Sequence, residues 1–299
     1  SLHEDVFYPA ELMFSPSSKL LQLSTIVDKE ILFPKEYPYT SSTTKILREN
    51  FKELYEECRK IISISSKDLV IDIGSNDGNL LNNFKKHHKI LGITPEKIGK
   101  IAIKKGINTL IKYFNKNTAN LILKKFGRAK IVTATNVFAH IDDVNSLMKN
   151  LLQILINDGI FISESHYLVS LIKTNQYDTI YHEHLRYYSL TSLKYLFNKY
   201  GMEIIHAKKI NTHGGSIRVY AARKKRFEIH KSVTKILNFE KKFLNWKTFI
   251  NFKKNVVQSK LNLYSILKKL KNKNKKIYGI GAPSRASTLI NYVGLDENI

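Results

Sequence analysis

The run Leu69-Val70-Ile71-Asp72-Ile73-Gly74 constrains the chain more than any other feature. Four apolar residues in five, closed by glycine, read as a strand buried on both faces, which is the signature of a parallel sheet. Three further runs share this character: 90–93, 129–135 and 160–164. Helical patterns lie around and between them, at 44–62, 79–87, 97–105 and 144–156, the last closed by an Asn157-Asp158-Gly159 turn. Ile46, Phe51, Leu54 and Tyr55 supply the apolar spacing of the first helix. Strands alternating with helices of this length predict an α/β fold with a doubly wound sheet.

After Leu190 the pattern changes. A helix at 192–200 stops at Gly201, and two strands at 203–210 and 216–223 flank Asn211-Thr212-His213-Gly214-Gly215. That short glycine-bearing connection predicts an antiparallel hairpin. Residues 228–270 read as a long helix broken near Phe252; 276–280 read as a strand and 285–292 as a helix, the opening of a second α/β unit. The expected units are 1–45, 46–225 and 226–299. Pro9, Pro16, Pro34 and Pro38 make the first of these irregular.

Composition narrows the partners. The chain has 299 residues, 49 of them basic and 25 acidic, a formal net charge of +24. Such a charge suits an anionic partner. No RNA-recognition strand, zinc finger or helix-turn-helix pattern accompanies it, so nucleic acid is not the expected partner. No apolar run reaches the roughly 18–20 residues of a membrane span, and the first five residues lack a secretory signal pattern. The expected location is the cytoplasm. A single cysteine, Cys58, excludes an internal disulfide and any zinc site of several thiolates. It sits on a helical pattern and reads as a small buried side chain.

Two segments carry chemistry. The first is Asp72-Ile73-Gly74-Ser75-Asn76-Asp77-Gly78, a strand-to-helix turn bracketed by glycines. Open α/β sheets bind ligands at such turns. The G-x-x-x-G spacing departs from the dinucleotide fingerprint, and a carboxylate at Asp77 would repel a pyrophosphate. A cationic, hydroxyl-bearing ligand without phosphates fits better, S-adenosylmethionine being one. Thr94 and Glu96, at the end of the second strand, are the candidates for its ribose.

The second is Tyr177-Asp178-Thr179-Ile180-Tyr181-His182-Glu183-His184-Leu185-Arg186-Tyr187-Tyr188. Three readings compete for it. A metal site lacks the H-E-x-x-H spacing. An interface of bonded histidines and tyrosines is the structural alternative. A general acid–base cluster at the cleft mouth is the third. Asn136-Val137-Phe138-Ala139-His140 brings an amide and another imidazole to the same sheet edge, which favours chemistry over a structural role; no metal is expected.

Taken together, Asp72–Gly78, Asn136–His140, Tyr177–His184, His213–Arg218 and Gly281–Tyr292 resemble the S-adenosylmethionine-dependent sugar C-methyltransferases over about residues 22–291. The resemblance implies the class I methyltransferase fold. It implies methylation of C3 in a nucleotide-linked 4-keto-deoxysugar through an enolate. His184 would be the base and Glu183 would orient or tune it. Tyr181 and Asn136 would bond the enolate oxygen or sugar hydroxyls, and His140 would assist by hydrogen bonding. Tyr39 matches a segment that closes over the site. Asp72, Gly74, Ser75, Asn76, Asp77, Gly78, Thr94, Glu96 and Asn136 would hold the cofactor. Gly214 and Gly215 read as hairpin geometry, and Arg218 as a surface charge or a substrate contact. The chain departs from the family at both ends. Ser15-Pro16-Ser17-Ser18 replaces the C-P-x-C of a zinc lobe, and hydroxyls replace soft thiolates poorly. Zinc is not expected there. The C-terminal α/β domain is expected to stop after its opening strand and helix, with Arg285 where many relatives have lysine.

Overall fold

A computed structural model describes residues 7–32 and 40–296. The central sheet has seven strands: β3 (Leu69–Ile73), β4 (Lys89–Thr94), β5 (Thr109–Ile111), β6 (Ala129–Thr135), β7 (Leu155–His166), β9 (Met202–Ile210) and β10 (Ser216–Arg223). Their order is β5-β4-β3-β6-β7-β10-β9. The first five run parallel, and β10 lies antiparallel between β7 and β9. The predicted doubly wound sheet and its antiparallel hairpin are therefore both present. The chain winds outward from β3 to β5, then returns to β6 on the other side. The strand order reverses between β3 and β6, where such sheets leave a crevice.

A second, small sheet joins β1 (Leu12–Ser15), β2 (Leu20–Leu23) and β8 (Arg186–Tyr187). Leu21 pairs with Tyr187 and Gln22 with Arg186, so the N-terminal hairpin is bonded to the strand that follows His184. The turn at Ser15–Ser18 is closed by hydroxyls: Ser18 Oγ donates to Ser15 Oγ at 2.8 Å.

Helices pack around the main sheet. After the one-turn α1 (Lys29–Leu32), α2 (Lys45–Ile61) buries Leu47, Phe51, Leu54 and Cys58. Cys58 is a buried core residue, as expected, while Ile46 is exposed. α3 (Leu81–Phe84) and α4 (Gly99–Lys104) are shorter than their sequence patterns. α5 (Lys116–Lys125) follows β5, and neither element is apparent in the sequence pattern. α6 (Val144–Ile154) runs directly into β7. Asn157-Asp158-Gly159 is not the predicted turn: Leu155 already pairs with Ala129 and Ile160 with Ile131, so the extra residues form an irregularity inside the strand.

α7 (Leu168–Lys173), α8 (Leu190–Lys199), α9 (Lys231–Phe243), α10 (Trp246–Asn272) and α11 (Ser284–Val293) complete the chain. The break in the long helical stretch falls at Leu244-Asn245 rather than near Phe252, because Asn245 Oδ1 caps α10 by accepting from Thr248 N at 3.0 Å. Phe252 is buried within α10. No strand forms at 276–280: the segment is exposed and has no sheet to join. α11 instead docks on the main body, where Thr288 Oγ1 donates to the Ile180 carbonyl at 3.2 Å. No helix among the described residues is long and apolar enough to cross a membrane.

Glu240 of α9 caps α8 from outside. Its carboxylate, fully buried, accepts from Leu190 N, Thr191 N, the Thr191 hydroxyl and the Tyr167 hydroxyl at 2.6–2.8 Å. Helix N-termini leave their first N–H groups unsatisfied, and an anion there is favourable. Glu240→Ala strips these donors of their partner. It is expected to lower stability by about 2–3 kcal/mol, read from equilibrium urea unfolding.

Candidate active site

A cavity of about 1630 Å³ opens beyond the carboxyl ends of the parallel strands. Each strand delivers its last residues there: Asp72–Asn76 after β3, Thr94–Glu96 after β4, Thr135–Val137 after β6, and Ser165 and His166 from β7. Tyr181, Glu183 and His184 form another wall with His140. The start of α11, Pro283 to Arg285, reaches the same space. The two sequence segments singled out for chemistry thus line one cavity.

The β3 turn is shaped for close approach. Gly74 has φ of +76°, and a Cβ there would lie 2.1 Å from Val137 Cγ2. Only glycine meets both conditions. Asn136 also takes a positive φ of 56° and donates its N–H to the Glu164 carbonyl at 2.9 Å. At the end of β4, the Thr94 hydroxyl donates to Glu96, which keeps that carboxylate at the cavity wall.

Asp77 and Gly78 correct the sequence reading, because neither lines the cavity. Asp77 accepts from the Ser41 hydroxyl at 2.6 Å and from Lys105 Nζ at 3.0 Å. Burial raises its pKa, but these donors and the ammonium outweigh that and hold it below the usual range. Its charge is spent inside the protein, tying the turn to the segment before α2. Gly78 leaves room for Ile107 and Ala102. Tyr39 lies outside the described residues.

Asp72 is buried, and burial pushes its carboxyl up to about 7 despite a 2.6 Å hydrogen bond from the Thr133 hydroxyl, with the Glu164 charge adding to the rise. The folded protein keeps a proton here that the unfolded chain, near its ordinary 3.8, has released. Stability from this group is therefore full below about pH 4 and falls as pH rises toward about 7. Asp72→Asn is expected to flatten the stability slope across that window in urea unfolding at stepped pH.

The histidines differ in their bonding. His184 Nδ1 lies 3.0 Å from the Thr179 carbonyl. A carbonyl only accepts, so Nδ1 carries the hydrogen and Nε2 keeps its lone pair. The Tyr181 hydroxyl faces that nitrogen at 3.4 Å. Burial, with His140 beside it, lowers the His184 pKa to about 3, so the ring is neutral at pH 7. His140 Nδ1 meets the Glu183 carbonyl at 2.5 Å, and the Asn136 backbone also bonds the ring. Burial lowers its pKa as well. The two rings lie 5.1 Å apart. The Glu183 carboxylate reaches Ser284 Oγ at 3.4 Å, so its carbonyl orients His140 while its side chain faces α11. Burial and the Glu183 charge push the Tyr181 hydroxyl up to about 12, which keeps it protonated.

Arg218 is neither a surface charge nor a cavity residue. It is fully buried, donating to Glu164 and to Glu57 at 2.5 Å each and to Asn50 Oδ1 at 2.8 Å. The geometric reading of the hairpin glycines agrees with the structure: Gly214 and Gly215 have φ of +76° and +114°, and a Cβ on either would collide with Gln176 or Ser170. Sequence reasoning passed over His166 as a site residue, although its place two residues after Glu164 at a strand end was a usable signal. Among the described residues, no three His, Cys, Asp or Glu side chains converge as metal ligands.

Residues 45–207 match the family model described as a methyltransferase domain. Residues 211–299 match one described as a C-methyltransferase C-terminal domain. The chain is 28% identical over 296 residues to the C-methyltransferase NovU of Streptomyces niveus, spanning 97% of this chain and 70% of that protein. Similar solved structures include the YcgJ protein of Bacillus subtilis, with a TM-score of 0.46 and 14% identity over 59% of this chain and 99% of that one. Magnesium protoporphyrin IX methyltransferase from Synechocystis, solved with bound SAH, gives 0.46 and 11%, over 59% and 83%.

Proposed function

The chain belongs to the methyltransferase-domain family as an S-adenosylmethionine-dependent C-methyltransferase, and from that premise we propose that it methylates the carbon beside the ketone of a nucleotide-linked 4-keto-deoxysugar, with His184 as the base. The observation that carries this reading is the tautomer of His184, whose Nδ1–H is committed to Thr179 while its Nε2 lone pair stays at the cavity wall.

S-adenosylmethionine supplies an electrophilic methyl group when bound. The residues present fit it: the Gly74–Asn76 turn lines the cavity without a phosphate-binding pattern, and the Glu96 carboxylate beside it offers acceptors for hydroxyls. Gly74, Ser75, Asn76, Glu96 and Asn136 would hold it. Asp77 and Gly78 support the turn from behind.

His184 Nε2 would take the proton from the carbon next to the ketone. A buried imidazole resists a lone charge, so it accepts the proton as the negative charge develops on the ketone oxygen, the two charges forming as a pair. The Tyr181 hydroxyl, protonated and 3.4 Å from Nε2, is placed to donate to that oxygen or to its neighbour. His140, held by two backbone groups, serves as a fixed wall rather than a second base.

The test incubates the protein in deuterium oxide with thymidine-diphosphate-linked 4-keto-6-deoxyglucose, first alone and then with S-adenosylmethionine. Deuterium should enter at C3, followed by a methyl on the same carbon. A methyl on oxygen, or methyl transfer with no exchange, overturns the reading.

A further inference from the structure

His166 and Gln176 stand in the cavity region but have no part in the enolate chemistry. Gln176 Nε2 donates to the Gly214 carbonyl at 2.8 Å and also to the Thr174 hydroxyl. A carbonyl oxygen accepts only, so the nitrogen end of the amide must face Gly214. The oxygen end then faces His166, whose Nε2 lies 3.0 Å from Gln176 Oε1. An amide oxygen likewise accepts only, so His166 Nε2 carries the hydrogen and Nδ1 holds a lone pair. The hairpin turn locks this arrangement, because Gly214 packs where a Cβ would lie 2.4 Å from Gln176 Oε1. No described residue bonds His166 Nδ1. The ring lines the cavity, and burial lowers its pKa to about 4, so it is neutral at pH 7.

We propose that His166 Nδ1 is a fixed hydrogen-bond acceptor in the cavity that selects sugars bearing a hydroxyl or amino donor, with Gln176 as the positioning residue that sets its tautomer. The selection rests on the keto-sugar reading above; the tautomer does not. A site built to accept from a hydroxyl discriminates against an analogue that lacks it, since the buried acceptor is then left unpaired.

Two measurements test this. The first is the ¹⁵N NMR spectrum of histidine-labelled protein, with His166 assigned by its loss in His166→Phe. It should show a bare Nδ1 and a protonated Nε2. Gln176→Leu, which offers no acceptor, should release this preference. The second compares kcat/KM for thymidine-diphosphate-linked 4-keto-6-deoxyglucose with its 2-deoxy and 3-deoxy counterparts. The wild type should disfavour one deoxy sugar by about 10- to 100-fold, and His166→Phe should bring that ratio to within about 3-fold of unity. A protonated Nδ1, or a ratio that survives His166→Phe, overturns the proposal. If none of these sugars is exchanged or methylated, the keto-sugar reading fails, and the tautomer still decides: a bare Nδ1 sustains the fixed acceptor and a protonated one removes it.

Discussion

His184→Ala should lose both proton exchange at C3 and methyl transfer, each by about 10²- to 10⁴-fold, the usual worth of a positioned general base. Both steps should fall together, because one atom serves both: without Nε2 no carbon nucleophile forms. Binding of S-adenosylmethionine should be little changed, since the Gly74 turn and Glu96 lie on other strands from the histidine segment. In the free wild-type protein, kcat/KM should show no histidine-like fall between pH 8 and pH 5, because His184 is held near 3 and remains a base throughout. Methyl transfer that survives His184→Ala would point to a nucleophile that needs no deprotonation at carbon. A stopped assay with the deuterated product analysed by mass spectrometry separates these outcomes.

Arg218→Met should have the largest effect on stability, about 3–5 kcal/mol. The guanidinium sits between Glu164 and Glu57, and the Glu164 side chain is wholly buried. Burial already raises the Glu164 pKa despite the arginine. Removing the arginine leaves that carboxyl without its charge partner, with only Asn50 Nδ2 still donating at 2.9 Å. The double variant Arg218→Met with Glu164→Gln should recover part of the loss, because no unpaired charge remains. Urea unfolding of both variants checks this: equal losses in the single and the double would mean that packing, rather than charge, sets the cost.

The strands were legible where burial makes them so. Leu69–Ile73 and Ala129–Thr135 are mostly apolar and buried on both faces, and their bounds follow from the residues alone. Thr109–Ile111 was not, since three residues at a sheet edge carry no pattern. α5 hides in a polar stretch whose start, Asn115 capping Thr118, was a missed signal. Lys-Ile-Tyr-Gly-Ile at 276–280 has strand composition but no neighbouring strand, and composition cannot supply one. The site shows the same division. Glycine, histidine and tyrosine positions around the cavity were readable from local motifs. Asp77 and Arg218 were misplaced because their partners, Ser41 and Glu57, are 36 and 161 residues away in the chain.

The small three-stranded sheet has a consequence for the base. Leu23 N–H donates to the Leu185 carbonyl at 3.0 Å, one residue after His184, and β8 follows immediately. The first hairpin is therefore a splint on the histidine segment, made from a part of the chain that contributes little else to the cavity. Its own bend is fastened by serine hydroxyls and strand pairing, and the chain's single thiol is buried elsewhere, in α2. The aim of His184 thereby depends on how firmly two short strands, distant in sequence from it, hold each other and the segment they brace.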